Sequence, residues 1–207
     1  MTPIEFIYFD LGNVLLGFNH DRGCRQLSEL TGVSAERIQE ILFTNGMQQR
    51  YEKGQVTTEE FHRYFCDETQ TDASLADVCQ AASNIFTPMD TTIQLAHALK
   101  QVGHRLGLLS NTCDCHWQFC LKDSRFGFLH QLFETTVLSY AVGHMKPEPD
   151  IYRIAANLAD CDPSSILFID DKHENTAAAK QFGFDVIHFQ GIPALIPELI
   201  KRKLIQG

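Results

Sequence analysis

The sequence predicts an α/β protein in which a parallel β-sheet core carries an inserted helical domain. From residue 87 onward, short apolar segments alternate with helical patterns, which is typical of a parallel sheet with right-handed crossovers. Between about residues 20 and 86, helical patterns follow one another, and no segment is a good strand candidate. We therefore expect residues 1–16 and 87–207 to form the core and residues 17–86 to form a helical cap.

The first predicted element is a buried strand. Residues 4–9 are almost continuously apolar and lead directly to Asp10, which is followed by Gly12 and Asn13. A short apolar run bounded by turn-forming residues indicates a strand that is covered on both faces and runs into a loop.

Three helix starts are predicted in the insert. Ser34 is a suitable cap for an amphipathic segment, and Ser74 with Asp77 indicates another start. Thr57 with Glu60 has the spacing of a capping box.

After the insert, helices and strands alternate. Thr87 is predicted to cap a helix with Pro88 at its first position, and Gly103 is predicted to end it. Further helical patterns lie around residues 152–158 and 176–182, and the tail 196–205 resembles a surface helix. The strand candidates are residues 105–109, 135–138, 166–169 and 186–189.

The composition is that of an ordinary globular protein, with 207 residues, of which 44% are hydrophobic and 21% charged. The formal charge of −9 repels nucleic acid and anionic membranes, so neither is expected as a partner. The sequence has no apolar run of about 18 residues and no secretory signal pattern. We expect a cytoplasmic location, and the oligomeric state is left open.

Seven cysteines, an odd number, suit reduced thiols better than a disulfide framework. Cys113, Cys115, His116 and Cys120 lie close together in sequence and could be imagined as a metal site. Their spacing matches no common zinc pattern, so packing or surface thiols are the favoured interpretation.

Polar residues recur at the carboxyl ends of the predicted strands or in the loops that follow, the edge where open parallel sheets bind ligands. Carboxylates gathered there would repel one another unless a cation lay between them, and such oxygen ligands suit Mg²⁺. A hydroxyl group and an ammonium group beside them could hold a phosphoryl group and neutralise its charge. The candidates are Asp10, Ser110, Asn111, Lys146, Asp170 and Asp171.

Each of these residues alone has an ordinary explanation. An aspartate after a strand often caps a turn or helix, Ser110 could cap a helix, and Lys146 could be a solvated loop residue. Their joint occurrence in this order favours a functional site.

Four motifs make the chain resemble the haloacid dehalogenase superfamily. They span most of the chain, and the helical insert lies between the first and the second, as in members with a C1 cap. The motifs are Phe9-Asp10-Leu11-Gly12-Asn13-Val14, Leu109-Ser110-Asn111-Thr112, Met145-Lys146-Pro147-Glu148-Pro149 and Phe168-Ile169-Asp170-Asp171.

Within that superfamily, the chain most resembles the bacterial sugar-phosphatase branch typified by an α-D-glucose-1-phosphate phosphatase, whose first motif also reads Asp-Leu-Gly-Asn-Val. The resemblance implies a Rossmann-like parallel sheet and a Mg²⁺-dependent phosphohydrolase. The implied substrate is a small phosphorylated metabolite, with a sugar phosphate favoured.

The resemblance also implies roles for individual residues. Asp10 would be the nucleophile and would form an aspartyl-phosphate that water hydrolyses. Asp10, the backbone carbonyl of Gly12 and Asp171 would hold Mg²⁺, with Asp170 supporting the metal site.

The remaining motif residues would contact the phosphate. Ser110 and the backbone of Asn111 would bind its oxygens, and Lys146 would orient both the nucleophile and the phosphate.

The chain departs from the family pattern at Gly12. Most phosphatases of the family carry there a second aspartate that serves as general acid and base, and glycine supplies no proton. His20, Asp21, a water or the substrate could substitute, although the two side chains also suit a helix start. His20, Arg50 and Arg63 are conceivable contacts for a polar leaving group, but surface solvation is the safer expectation.

Two alternatives stay open. A noncatalytic protein that binds or senses a phosphorylated ligand on the same scaffold would explain the missing carboxylate at position 12. A 2-haloacid dehalogenase would use the same nucleophile without a metal, but Asp171 would then repel an anionic substrate.

Overall fold

The computed structural model describes residues 2–206, and within them the chain forms a five-stranded parallel sheet and a two-stranded antiparallel ribbon. The strands are β1 Phe6–Phe9, β2 Leu16–Phe18, β3 Phe86–Pro88, β4 Arg105–Ser110, β5 Thr135–Leu138, β6 Ile166–Asp170 and β7 Asp185–His188. The sheet has the strand order β5-β4-β1-β6-β7, and β2 and β3 form the ribbon.

The central strand β1 is fully buried because helices cover both faces of the sheet. Ile7 and Phe9 pack into one apolar cluster, while Phe6 and Tyr8 pack into a second. This alternation follows from the two-residue period of a strand. The two clusters form the core, and the predicted α/β class with a parallel sheet is confirmed.

Helices connect the strands. The cluster around Phe9 includes side chains from the helices Asp90–Gln101, Asp114–Lys122, Leu129–Leu132 and Ile192–Lys201. The cluster around Tyr8 includes side chains from the helices Pro149–Ala159 and His173–Phe182. The helices in the described residues are α1 His20–Thr31, α2 Ala35–Phe43, α3 Met47–Glu52, α4 Thr58–Thr69, α5 Leu75–Ser83, α6 Asp90–Gln101, α7 Asp114–Lys122, α8 Leu129–Leu132, α9 Ser139–Val142, α10 Pro149–Ala159, α11 His173–Phe182 and α12 Ile192–Lys201, with short 3₁₀ helices at Ser124–Phe126 and Pro163–Ser165.

The insert contains α1 to α5, and its predicted helix starts are confirmed. Ser34 and Ser74 each accept a hydrogen bond from a backbone N–H three residues later. Thr57 and Glu60 form both bonds of a capping box. These helices enclose a third apolar cluster, which also takes in side chains from the start of α7. The division into domains at residues 16/17 and 86/87 stays a prediction.

The prediction that Thr87 caps a helix with Pro88 at its first position was wrong. Thr87 lies opposite Gly17, and Pro88 lies opposite Leu16, in the ribbon that joins the insert to the sheet. Proline suits this short edge strand because it has no N–H to satisfy there. Helix α6 begins two residues after Pro88, at Asp90.

Most other predicted boundaries lie within three residues of the observed ones. β5 agrees at both ends, whereas α10 and α11 begin three residues earlier than their patterns indicated. The C-terminal helix begins at Ile192, four residues before the predicted start. Among the described residues, no helix has the length and apolar character needed to cross a membrane.

Gly107 provides a test of the packing at the centre of the sheet. A Cβ atom at this position would lie 2.6 Å from Cε1 of Tyr8 and 2.8 Å from Cε1 of Phe6, and both rings are fully buried. We expect Gly107→Ala to lower the free energy of unfolding by about 1–3 kcal/mol in chemical denaturation. Gly127→Ala is the control, because its Cβ would meet only ordinary contacts. Equal stability of the two variants would contradict this packing.

Candidate active site

Asp10 lies directly after β1, at the centre of the carboxyl edge of the sheet. Its backbone N–H donates to the carbonyl of Ile169 at 2.9 Å, and its side chain is only 10% exposed. Oδ1 accepts from the N–H of Leu11 at 2.7 Å and lies 2.8 Å from Nζ of Lys146. Oδ2 accepts no hydrogen bond from the described residues. Every fully buried side-chain oxygen among those residues has a hydrogen-bond partner, so Oδ2 is not fully buried and is accessible to solvent.

Lys146 holds the two sides of this edge together. Its side chain is 1% exposed, and Nζ contacts Oδ1 of Asp10, Oδ2 of Asp170 at 2.6 Å and the carbonyl of Leu109 at 2.8 Å. All three ammonium protons therefore have protein partners. The side chain of Asn111 fixes the backbone of Lys146: Nδ2 of Asn111 donates to the carbonyl of Lys146 and Oδ1 accepts from its N–H, both at 2.8 Å.

Asp170 is fully buried and fully bonded. Besides Lys146, its carboxylate accepts 3.0 Å hydrogen bonds from Nδ2 of Asn175 to both oxygens, and a 2.7 Å bond from the N–H of Lys172 to Oδ1. These bonds leave little capacity for another ligand. The bond from Lys146 to Oδ2 of Asp170 therefore holds the ammonium group in position.

The charges of this cluster influence one another strongly. Burial raises the pKa of Asp10 to about 6; Lys146 opposes this rise and Asp170 adds to it. Burial alone would lower the pKa of Lys146, but Asp10 and Asp170 outweigh it and raise that pKa above its ordinary value. At neutral pH, Asp10 is thus mostly an ionised carboxylate beside a protonated ammonium group.

Asp171 is half-buried beside the other two aspartates. One carboxylate oxygen from each of Asp10, Asp170 and Asp171 lies within 4.8 Å of the others. The carbonyl of Gly12 accepts no hydrogen bond from the described residues, while Nδ2 of Asn13 donates to Oδ2 of Asp171 at 3.1 Å. Carboxylate and carbonyl oxygens are the ligands that Mg²⁺ prefers, so this donor set fits that ion.

Ser110 and Asn111 follow β4, beside Asp10. Ser110 is 2% exposed, and its hydroxyl makes only a long 3.4 Å hydrogen bond to the carbonyl of Asn111. This weak bond leaves the hydroxyl free to turn toward a ligand.

A cleft of about 390 Å³ lies above this edge, between the sheet and the insert. His20, Gln49 and Glu52 line it from the insert, and His116 lines it from α7. The lining does not include Asp21, Arg50 or Arg63, and Arg63 borders a separate groove on the insert. The cleft therefore brings together five of the six predicted edge residues with Gly12 and His20. The sixth, Asp170, is fully buried and does not line it, and the other three candidates lie outside it.

The ring of Phe18 lies close to the backbone of Gly12. A Cβ atom on Gly12 would lie 3.0 Å from Cε1 of Phe18, so a larger residue would require this ring to move. The Phe18 ring in turn packs edge-on against His20, with ring centroids 4.9 Å apart.

Four groups that make hydrogen bonds to the charged residues of the site were not predicted from sequence: the side chains of Asn175, Asn111 and Asn13, and the carbonyl of Leu109. Asn175 follows Asp170 by five residues and is buried in the first turn of α11, which a helical pattern could have indicated. The Asn111 bonds to Lys146 join residues 35 apart, and no local signal predicts them. Asn13 has a left-handed backbone with φ of 54°, which asparagine tolerates better than most residues.

The fold and the site define a class of α/β enzymes with acidic side chains at the carboxyl edge of a parallel sheet, beneath a helical insert. The haloacid dehalogenase-like hydrolase family matches residues 4–183, and the chain belongs to that family. The predicted family and hydrolase class are therefore confirmed.

Similar proteins come from Bacteroides and Porphyromonas. A D-ribitol-5-phosphate phosphatase of Bacteroides thetaiotaomicron is 27% identical over 186 residues, which cover 88% of this chain and 90% of that protein. A solved HAD family enzyme of the same species, in complex with magnesium and inorganic phosphate, has a TM-score of 0.79 at 27% identity and covers 89% of this chain and 93% of its own. A structure described as a predicted HAD-like family hydrolase from Porphyromonas gingivalis has a TM-score of 0.81 at 25% identity, and the match covers 95% of this chain and 98% of that one.

Replacing Lys146 tests the electrostatic balance of the site. Without its ammonium group, two buried carboxylates lose their shared partner, so Lys146→Met should lower the free energy of unfolding in EDTA by about 3–5 kcal/mol. Added Mg²⁺ should raise the melting temperature of this variant more than that of the wild type, because the cation relieves the same repulsion.

The control is Lys201→Met, whose side chain is 63% exposed and should change stability by less than about 0.5 kcal/mol. If Lys146→Met were as stable as this control in EDTA, the ion pairs of Lys146 would not contribute to stability as predicted.

Proposed function

We propose that the chain is a Mg²⁺-dependent phosphohydrolase that acts on small phosphorylated metabolites through an aspartyl-phosphate on Asp10. The observation that carries this proposal is the convergence of Asp10, Ser110 and Lys146 on one cleft beside an oxygen-rich donor set. Family membership and the phosphatase relative support it.

In the proposed first step, the unbonded Oδ2 of Asp10 attacks the phosphorus atom, and the bond from phosphorus to the ester oxygen breaks. Lys146 holds Oδ1 of the same carboxylate, which aims Oδ2 into the cleft. Ser110 and the backbone of Asn111 bind the phosphoryl oxygens. In the second step, water attacks phosphorus, releases inorganic phosphate and restores the Asp10 carboxylate.

Mg²⁺ would be held by Asp10, the carbonyl of Gly12 and Asp171, and when bound it would neutralise charge on the phosphoryl oxygens. Asp170 would support this site indirectly, because its own oxygens are already bonded to Lys146, Lys172 and Asn175.

The proposed substrate class is a sugar or polyol phosphate. The insert presents Gln49, Glu52 and His20 to the cleft, which together offer hydrogen-bond donors and acceptors for a polyhydroxylated leaving group. The relative named D-ribitol-5-phosphate phosphatase is consistent with this class.

His20 is the proposed proton donor in place of the missing aspartate at position 12. It lies at the first position of α1, lines the cleft and packs between Phe18 and Phe43. Burial, followed by the nearby His116, lowers its pKa below the ordinary value, so the imidazolium is a stronger acid but the minority form at neutral pH. The imidazolium would protonate the departing oxygen, and the resulting neutral ring would take a proton from the attacking water.

Dehalogenation is less well supported than phosphoryl transfer. Asp171 places a further carboxylate at the mouth of the cleft, which would repel a haloacid anion when no metal is bound. A noncatalytic phospholigand sensor would keep the same contacts but would show no turnover.

Asp10→Asn tests the proposed function directly. Because an amide cannot act as the nucleophile, Mg²⁺-dependent phosphate release from a panel of sugar and polyol phosphates should fall by about 10³-fold or more. The exposed Asp67→Asn on α4 is the matched control and should keep wild-type activity. Identical rates in wild type and Asp10→Asn across the panel would contradict the proposal.

His20→Gln tests the proton donor through the leaving group. An alkoxide leaving group needs a proton, whereas p-nitrophenolate does not, so the variant should lose about 10²- to 10⁴-fold in kcat with a sugar phosphate and much less with p-nitrophenyl phosphate. Asp21→Asn, one residue further along α1, should affect neither substrate. An equal loss with both substrates would mean that His20 only shapes the cleft.

A further inference from the structure

A second group of potential metal ligands lies at the start of α7. One donor atom from each of Cys113, Cys115 and His116 lies within 4.8 Å of the others, and the two sulfur atoms are 3.9 Å apart. Cys120, the fourth member of the sequence cluster, is not part of this group and packs into the apolar core beneath the sheet. The structure thus reduces the sequence cluster to three residues at the start of α7.

The separation of the two sulfur atoms matches that of a tetrahedral thiolate pair. With metal–sulfur bonds of about 2.3 Å, two ligands of a tetrahedral Zn²⁺ are about 3.8 Å apart. Cys113 and Cys115 already have this separation, so binding would require little movement of either side chain. Sulfur and imidazole nitrogen are also the soft and borderline ligands that favour Zn²⁺ over Mg²⁺.

The imidazole of His116 is uncommitted. Among the described residues its ring makes no side-chain hydrogen bond, and its closest aromatic neighbour is Phe86, with ring centroids 5.3 Å apart. His116 lines both the active-site cleft and a small cavity of about 30 Å³ that also borders the two thiols. It can therefore reach a cation in that cavity from the cleft side.

The surrounding backbone holds the thiols in place. Cys113 precedes α7 in an extended conformation, and its side chain does not cap the helix. The N–H of Cys115 donates to the hydroxyl of Tyr51 at 3.0 Å, which connects the first turn of α7 to the insert. Ser83 lies 3.5 Å from the sulfur of Cys115. Cys79 and Cys115 line the same groove. A fourth ligand could come from Cys79 or from water.

We propose that Cys113, Cys115 and His116 bind one thiophilic divalent cation such as Zn²⁺, at a site separate from the oxygen-lined Mg²⁺ site. Binding releases two thiol protons and leaves a neutral imidazole as the third ligand. The cation would draw His116 toward the thiols and away from the cleft that this side chain lines. Occupancy should therefore slow any reaction in the cleft.

Co²⁺ is the probe, added to the full-length protein in reducing buffer with Mg²⁺ in large excess to occupy oxygen ligands. One equivalent should produce thiolate-to-cobalt charge-transfer absorption and the intense visible bands of tetrahedral Co²⁺. Cys115→Ser should abolish the charge-transfer band, and Zn²⁺ should displace Co²⁺. Cys161→Ser, at the opposite edge of the sheet, should bind Co²⁺ as the wild type does.

His116→Gln is the second variant, because this half-buried position tolerates substitution better than the buried thiols. It should weaken Co²⁺ binding at least tenfold while its thermal unfolding stays close to that of the wild type. The proposal is overturned if Co²⁺ shows no charge-transfer band, or if the band persists unchanged in Cys115→Ser. These signals do not depend on phosphate release, so the result is separate from the test of Asp10.

Discussion

The buried ammonium group of Lys146 is the interaction on which the site depends. It contacts Asp10 and Asp170 at 2.8 and 2.6 Å, and these aspartates come from neighbouring strands that would otherwise bring two carboxylates together out of water. Repulsion of that kind is costly at low dielectric, so the position of Lys146 must be fixed. Asn111 fixes it through two backbone hydrogen bonds, and Asn175 fixes Asp170. Asp10 is left with one oxygen bonded and one oxygen open to the cleft.

The sheet places these groups correctly because β1 is its central strand. Phe9 lies opposite Leu108 on one side and Ile169 on the other, so the chain leaves all three strands at the same level. The insert begins only a few residues after Asp10 and returns through the ribbon that pairs Gly17 with Thr87. That short path positions Phe18 over Gly12 and His20 in the cleft. Gly12 and His20 are thus brought to the same side of the cleft by one short loop.

Much of this arrangement could be predicted from sequence because its signals are local. The continuous apolar run at residues 4–9 predicts a buried strand, and the polar residue that follows it, Asp10, marks the position of the site. The Asn111 bonds to Lys146 were not predictable, because they join segments far apart in sequence. The ribbon was missed because three-residue strands carry too little pattern, and Thr87-Pro88 also suits a helix start. Cys113, Cys115 and His116 match no common motif, yet a helix start brings their donor atoms together.

The central claim is that Asp10 accepts the phosphoryl group, and chemical trapping tests it most directly. The protein is mixed with p-nitrophenyl phosphate and Mg²⁺, quenched in acid during turnover and reduced with borohydride, which converts an aspartyl-phosphate to homoserine. Peptide mass spectrometry should find homoserine at position 10 and unmodified aspartate at positions 170 and 171. Steady release of p-nitrophenol with Asp10 unreduced at every quench time would contradict the account.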